Sequence, residues 1–170
     1  MPPDVPCDTS IIPLPNLGRE TQTYLHHIVT NYDDLAAVNI FFQGEVDDRP
    51  EQKLMGYDSY TSITPWGFAG KLTTCLKSYS WGRELDRISG ISDFKSSFGE
   101  FVVETLDIPW RDKCMFVKGA YFSVGRDRIR LRSRNFYQKI LDKHEISTHV
   151  NPRAGHYMER SWFRLFAESY

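Results

Sequence analysis

Closely spaced cysteines, long apolar runs and an excess of charge of one sign are all missing from this 170-residue chain. The three cysteines, Cys7, Cys75 and Cys114, are odd in number and far apart, which argues against a disulfide framework or a zinc site and predicts reduced thiols in a cytoplasmic protein. No apolar run approaches the roughly 18 residues of a membrane span, and no signal peptide is visible. A net charge of -1 predicts no general affinity for nucleic acid.

Several familiar catalytic patterns are also missing, including a phosphate-binding glycine loop, a dinucleotide-binding fingerprint and a serine-protease-like set. What remains is a composition typical of a soluble globular protein, with 41% hydrophobic and 25% charged residues. Aromatic residues reach 14%, which suits a large core and also a pocket for a flat ligand. We expect a Pro-rich extended segment over residues 1–15 and a single α/β domain over residues 16–170.

The most informative unit of the chain is a helix followed by a strand. Asn16 and Gly18 break regular structure, and Arg19-Glu20 opens a helix whose apolar positions recur at helical spacing. The run Val38–Phe42 is rich in aromatic and β-branched residues and predicts a buried strand. Because ligands of open α/β sheets bind beyond the carboxyl ends of strands, the turn that begins at Gln43 is the first place to expect a site.

Three spaced motifs resemble a fungal family of unknown function, domain of unknown function 3431. They are Asn16-Leu17-Gly18-Arg19-Glu20 with the helix and strand after it, Gly119–Val124, and Gly155-His156-Tyr157-Met158-Glu159-Arg160-Ser161-Trp162. The resemblance implies a glycosyltransferase-like layout, by analogy of fold. It also implies a strand-helix segment before Asn16 that residues 1–15 do not supply, so we expect a shortened N-terminus.

Strands that alternate with helices predict a small mixed sheet flanked by helices, in a glycosyltransferase-like three-layer arrangement. We expect further helices over about 92–106, 128–143 and after Gly155, and a strand or hairpin over Met115–Val124 that is interrupted near Gly119. Phe41 and Phe122 should lie in neighbouring strands. One core should contain the apolar side chains Tyr24, Ile28, Phe41, Val117, Phe122, Ile140 and Trp162.

Charged residues at strand ends and helix starts are the candidate binding groups. Asp47 and Asp48 follow the first strand and predict a divalent cation, Mn or Mg, that neutralises a diphosphate, although a solvated acidic turn has the same pattern. Arg19 and Glu20 begin a helix, where unpaired N–H groups attract anions. Arg126 follows the strand that ends near Val124, and we expect it to face the same cleft as Asp48.

The motif that precedes the last apolar stripe supplies the candidate catalytic groups. His156 has an ordinary pKa near neutrality, and Glu159 could act as a base if it is desolvated. Arg160 is a candidate ligand for substrate, and we expect Glu159 or Arg160 to reach the cleft of Asp48 and Arg126 from the last helix. The alternative is that Glu159 and Arg160 form a structural ion pair. The later arginines Arg130, Arg132 and Arg134 are better explained as a solvated helix start.

Three functions remain open for a small-molecule substrate. The first is a transferase-type enzyme that uses a phosphorylated or nucleotide-linked donor, held by Arg19, Glu20, Gln43 and Arg126. The second is a fungal tailoring enzyme of secondary metabolism, a cyclase or isomerase. Its aromatic pocket would be walled by the aromatic part of the long 45–70 loop, from Tyr57 to Phe68, which contains Trp66. The third is a non-catalytic binding domain.

Overall fold

The structure is a computed structural model that describes residues 12–43, 61–75, 80–81, 96–145, 150 and 153–167. The predicted metal ligands Asp47 and Asp48 lie outside the described residues. The helices and strands, in chain order, are α1 (Glu20–Thr30), β1 (Val38–Phe41), β2 (Phe68–Cys75), α2 (Phe98–Glu100), a π-helix (Phe101–Thr105), β3 (Cys114–Gly125), α3 (Arg126–Ile129), α4 (Arg134–Glu145), α5 (Arg153–Glu159) and α6 (Trp162–Phe166).

Helix α1 forms where the apolar spacing predicts it. Tyr24, Leu25 and Ile28 are buried, and Glu20 in the first turn complements the positive end of the helix dipole. The helix ends at Asn31, whose backbone N–H and side-chain amide both donate to the carbonyl of His27. This prediction is confirmed, and it places the Arg19-Glu20 pair at the N-terminal end of a well-packed helix.

The described strands form one sheet in the order β1-β3-β2, with antiparallel pairing on both sides of β3. Phe41 pairs with Phe122, so the predicted neighbourhood of these strands is confirmed, as is a small sheet covered by helices. The expectation that β1 and β3 open on the same edge is wrong. Crossover rules apply to parallel strands, whereas in an antiparallel pair the end of one strand lies beside the start of the other.

Strand β3 is continuous but irregular at the predicted interruption. Gly119 and Ala120 have φ angles of 72° and 58°, and the pairing with β2 shifts between Gly70 and Leu72. A left-handed pair of residues inserts extra chain into one strand, as a β-bulge does. The loop predicted up to residue 70 ends earlier, because Phe68 already belongs to β2 and stacks on Phe122.

The helices after β2 depart in detail from the predicted boundaries. Ser97 caps α2 in a reciprocal capping box with Glu100, and the chain continues directly into the π-helix. The single helix expected over about 128–143 is two helices, α3 and α4, and the one expected after Gly155 is also two, α5 and α6. Gly155 lies inside α5, and α5 ends before Ser161, which is the N-cap of α6.

The core is largely aromatic. Phe122 lies at its centre, with its ring centroid 5.0 Å from that of Phe41, 5.6 Å from that of Trp162 and 5.9 Å from that of Phe166. All seven predicted core residues are buried in one cluster, so that prediction is confirmed. Within the described residues, much of the aromatic excess therefore serves packing rather than a ligand pocket.

Candidate functional site

Five charged or polar side chains meet where the start of α1 packs against the end of α5. We call this group the Arg19 cluster, and it comprises Arg19, Glu20, His156, Glu159 and Arg160. Arg19 Nη1 donates to His156 Nδ1 at 2.7 Å, and the same nitrogen lies 3.7 Å from Glu159 Oε2. Arg19 Nε lies 3.5 Å from Glu20 Oε2. Two motifs that are 137 residues apart in sequence therefore form one site.

The backbone at the start of α1 is held in an unusual conformation. Gly18 and Arg19 have φ angles of 64° and 58°, and Arg19 is the N-cap of the helix. Left-handed backbone is unfavourable for a residue with a Cβ atom, and such strain concentrates at functional sites. Gly155 makes the close approach of α5 possible, because a Cβ atom there would lie 3.2 Å from both the Gly18 carbonyl oxygen and Arg19 Cδ.

A cavity of about 420 Å³ opens beside the Arg19 cluster. It lies between the start of α1 and the carboxyl end of β1, and both Arg19 and Glu20 line it. Gln43, just beyond β1, lines it too and accepts a hydrogen bond from the Tyr121 hydroxyl at 3.3 Å. The full set of described lining residues is Asn16, Arg19, Glu20, Thr23, Tyr24, Phe42 and Gln43. Amide, hydroxyl, carboxyl and guanidinium groups thus surround one space, with two aromatic rings among them.

His156 is a neutral hydrogen-bond acceptor in this environment. Burial lowers its pKa, and the positive charges of Arg19 and Arg160 lower it further, to about 4. Because Nδ1 accepts from Arg19, the ring proton resides on Nε2. The prediction of a histidine that exchanges protons near neutrality is therefore wrong, since two guanidinium groups disfavour the imidazolium. Its role here is to hold Arg19.

Glu20 is the desolvated carboxyl group of the cluster. Burial raises its pKa and the nearby charge of Glu159 adds to the rise, whereas Arg19, the backbone of Glu20 and Gln43 oppose it. Its side chain is only 9% exposed, and its Oε1 atom has no hydrogen-bond partner within the described part of the chain. A carboxyl group of this kind, on a cavity wall, can hold or release a proton.

Arg160 packs beneath the cluster. Its guanidinium lies 4.7 Å from the ring centre of Trp81 and 5.5 Å from that of Phe116. Its Nη1 atom donates to the His156 carbonyl oxygen at 3.0 Å and lies 3.4 Å from Glu159 Oε2. The ion pair between Glu159 and Arg160 is therefore present. It holds the Glu159 carboxylate in place, and this carboxylate also contacts Arg19.

Comparison with known proteins gives one match. The sequence pattern of the family described as "Protein of unknown function (DUF3431)" matches residues 4–68. This part of the chain resembles DUF3431. No curated protein and no solved structure matches the chain. The DUF3431 match includes Arg19, Glu20 and Gln43 but not α5, and the family description assigns no activity.

Arg126 and Trp66 are not brought to the Arg19 cavity. Gly125 pairs with Val38 at the start of β1, and the Arg126 N–H donates to the carbonyl of Ala37. Arg126 thus lies beside Ala37, six residues before Gln43, which is about 20 Å away at roughly 3.3 Å per extended residue. Trp66 lies 56% exposed near the same end of the sheet. Arg126 therefore does not share the sheet edge at which β1 ends, because β1 and β3 are antiparallel. Its common cleft with Asp48 stays a prediction, since Asp48 lies outside the described residues.

The later arginines bind backbone carbonyl groups. Arg130 donates to the carbonyl oxygens of Tyr32 and Asp33 at 3.1 and 2.7 Å, and Arg128 donates to that of Phe166 at 2.9 Å. These contacts satisfy carbonyl groups at the ends of α1 and α6. Arg130, which is predicted to belong to a solvated helix start, is exposed, and its guanidinium also binds these backbone carbonyl oxygens.

Sequence reasoning missed part of the cavity wall. The sequence patterns predict Asn16 only as a breaker of structure and Tyr24 only as a core residue, and they do not single out Thr23. Thr23 lies one turn beyond Glu20 on α1, so its helical spacing from that residue was an available signal. The apolar run predicts Phe42 inside the strand, whereas in the structure it follows β1 and is 36% exposed.

No metal centre is visible within the described ranges, in which no group of three or more His, Cys, Asp or Glu side chains is arranged to hold an ion. The proposed ligands Asp47 and Asp48 lie outside those ranges and just beyond Gln43 in sequence. Cys114 is buried. The described helices include none that is long and apolar enough to cross a bilayer.

Proposed function

We propose that this chain is a small group-transfer enzyme that binds a phosphorylated or nucleotide-linked donor in the Arg19 cavity. Its concrete form is a glycosyltransferase-like reaction with a hydroxyl group as acceptor. The observation that carries the proposal is the convergence of Arg19, Glu20 and Gln43 on one polar cavity. The buried Glu20 carboxyl lacks a partner for one oxygen among the described residues.

The donor would bind through its negatively charged end. Arg19 offers a planar guanidinium that suits the oxygens of a phosphoryl group. The hydrogen bond from Arg19 to His156 Nδ1 fixes the orientation of this guanidinium. Asn16, Thr23 and Gln43 supply the amide and hydroxyl groups that recognise sugar or ribose hydroxyls. As the bond to the transferred group breaks, the phosphoryl oxygen that keeps the electron pair would be stabilised by Arg19.

Glu20 is the residue that we assign to proton transfer. In the donor complex the Glu20 carboxylic acid gives its proton to the phosphoryl oxygen that leaves with the electron pair, and the acceptor hydroxyl loses its proton to solvent as its oxygen forms the new bond to the transferred group. Desolvation favours this role because it raises the pKa of Glu20, so that the carboxyl group keeps its proton until the donor bond breaks. Glu159, shared between Arg19 and Arg160, has a positioning role.

The lining of the cavity favours this function over an aromatic pocket for a cyclase or isomerase. That alternative required the aromatic loop to wall the site, yet Trp66 lies at the other end of the sheet. Phe68 packs on the core residue Phe122. The described cavity wall has a guanidinium and a carboxyl group, with only two rings, Tyr24 and Phe42. A polar ligand with hydroxyl and anionic groups matches it better.

Calorimetry with a panel of sugar nucleotides and their nucleoside diphosphates, with and without manganese, tests the proposal. Arg19→Ala should abolish binding with the fold intact. A matched control is Arg132→Ala, because Arg132 is 23% exposed against 26% for Arg19 and also has an ion pair, 3.8 Å from Asp107, but lies away from the cavity. No binding by the wild type to any panel member would refute the donor assignment.

Turnover assays with any donor that binds then separate an enzyme from a non-catalytic binding domain. Glu20→Gln should lower the rate about 100-fold or more while it retains donor binding, since removal of a positioned acid or base costs roughly that much. Glu104→Gln, on the exposed side of the π-helix, is the control. Dependence on manganese would support Asp47 and Asp48 as ligands. A cytoplasmic location is part of the proposal, and cell fractionation tests it.

A further inference from the structure

Arg19 already has two carboxylate neighbours, and this affects how an anion can bind to it. Glu20 Oε2 lies 3.5 Å from its Nε atom, and Glu159 Oε2 lies 3.7 Å from its Nη1 atom. Glu159 is also 3.4 Å from Arg160, so its charge is shared between two guanidinium groups. An anionic ligand at Arg19 would add a third negative group around one cation, and like charges at such distances disfavour one another.

Glu20 is the neighbour that can most easily lose its charge. Its side chain is 91% buried (9% exposed), and its Oε1 atom is buried without a hydrogen-bond partner among the residues that the structure describes. Burying an oxygen of an ionised carboxylate away from water without a hydrogen-bond partner carries a large free-energy cost. Protonation removes that cost and turns the group into a hydroxyl donor on the wall of the cavity.

The charged and polar groups that face Glu20 come from three elements. Arg19, directly before α1, and Gln43, beyond β1, lower the pKa of the carboxyl group, whereas Glu159 at the end of α5 raises it. Burial has the largest effect and also raises the pKa. The environment therefore favours a neutral Glu20 more than water does.

Other titratable groups nearby are poor candidates for taking up a proton. His156 faces Arg19 and Arg160, which together with burial lower its pKa to about 4. Tyr24 is a neutral phenol whose pKa is raised by burial first and then by its neighbours, including Tyr121. An added anion at Arg19 therefore leaves Glu20 as the group that protonates.

We propose that an oxyanion, such as a phosphoryl group, binds at Arg19 together with one proton, and that Glu20 takes up this proton. The reaction adds one proton to the Glu20 carboxylate, which becomes a carboxylic acid, so the first negative charge of the ligand replaces that of Glu20. This inference deepens the proposed function and rests on the same site. It makes donor binding tighter in mild acid, and it leaves an acid in place beside the bound phosphoryl group.

Sulfate is the probe for the test, because its charge stays constant between about pH 5 and about pH 8 while that of phosphate changes. Binding to the full chain is measured by calorimetry across this range, in two buffers of different ionisation enthalpy. Wild-type affinity should fall as pH rises, approaching about tenfold for each pH unit above the pKa of Glu20, with uptake of close to one proton. Glu20→Gln should bind sulfate at every pH without proton uptake, and Glu104→Gln should behave as the wild type.

Wild-type binding that does not depend on pH would overturn the inference, as would a pH dependence that persists in Glu20→Gln. Failure of both proteins to bind sulfate at any pH would also overturn it, and circular dichroism would confirm that each is folded. Binding that survives Arg19→Ala would place the anion elsewhere. The sulfate test and the sugar-nucleotide binding test can succeed or fail independently of each other. Proton-linked sulfate binding without any donor would leave this inference and remove the proposed enzyme, and donor turnover with pH-independent binding would do the reverse.

Discussion

Protonation of His156 should weaken folding in acid. Its Nδ1 atom accepts a hydrogen bond from Arg19 at 2.7 Å, and its backbone carbonyl accepts one from Arg160 at 3.0 Å. Burial and these two charges lower its pKa from 6.5 to about 4. Between these values the unfolded chain binds a proton that the folded chain excludes, so the free energy of unfolding falls as pH drops from about 6.5 to about 4.

The magnitude follows from the same two pKa values. At 1.36 kcal/mol for each unit of pKa, the full difference corresponds to about 3 kcal/mol. The His156 ring is only partly buried, so solvent screening reduces this to about 1–2 kcal/mol. Glu20 acts in the opposite direction, because its raised pKa contributes stability that is present in acid and lost as pH rises. The effect of His156 must therefore be measured against a variant.

His156→Gln is the suitable variant, since its amide oxygen still accepts from Arg19 but does not titrate. Urea unfolding, followed by tryptophan fluorescence at about pH 7 and about pH 4.5, gives the loss of stability in acid for each protein. The wild type should lose about 1–2 kcal/mol more than the variant. His26→Gln, on α1 outside the cluster, should lose as much as the wild type. Equal losses for wild type and His156→Gln would refute the argument.

Three further outcomes are expected for the fold, each checked by chemical or thermal unfolding. Phe122→Ala should cost about 3–5 kcal/mol because it leaves a cavity among packed rings, whereas Leu131→Ala, at a side chain 63% exposed, should cost less than about 0.5 kcal/mol. Ser97→Ala should cost about 1 kcal/mol through loss of the capping box, and an unchanged stability would contradict the capping assignment. Gly155→Ala should change stability by less than about 1 kcal/mol, because crowding of Gly18 and Arg19 offsets the better helix propensity of alanine. The branched Gly155→Val should be clearly destabilised, and stability equal to wild type would show that α5 does not need this close approach.

The core could be predicted from local patterns because burial depends on which face of an element is apolar. The spacing of Tyr24 and Ile28 on α1, and the apolar run that contains Phe41, indicate the inward face before any partner is known. The aromatic composition alone did not say whether rings serve core or pocket. The central position of Phe122 decided that for the described residues, since its neighbours come from β1, β2, α1 and α6.

The site was partly predictable. The sequence drew attention to Arg19 and Glu20 at a helix start and to His156, Glu159 and Arg160 near the chain end. It also predicted that Glu159 or Arg160 reaches the same cleft, but from crossover rules that do not apply to this antiparallel sheet. It also suggested Arg126 as a partner, on the assumption that strand ends share an edge. Strand direction depends on the whole connection between β1 and β3, which local patterns do not encode.

What the sequence by itself determined is local: where α1 begins, which run forms β1, which side chains enter the core and which motifs carry charge. The spacing of apolar residues, the capping residues and the residues that break regular structure each act over a few positions. They can therefore be recognised in the sequence alone. Only the tertiary structure decided that β1 and β3 are antiparallel, that Gly155 lets α5 reach the Gly18-Arg19 turn, and that Arg19 lies against His156. The protonation of His156 and Glu20 was decided there too, because a pKa depends on burial and on charges that the fold brings from distant parts of the chain.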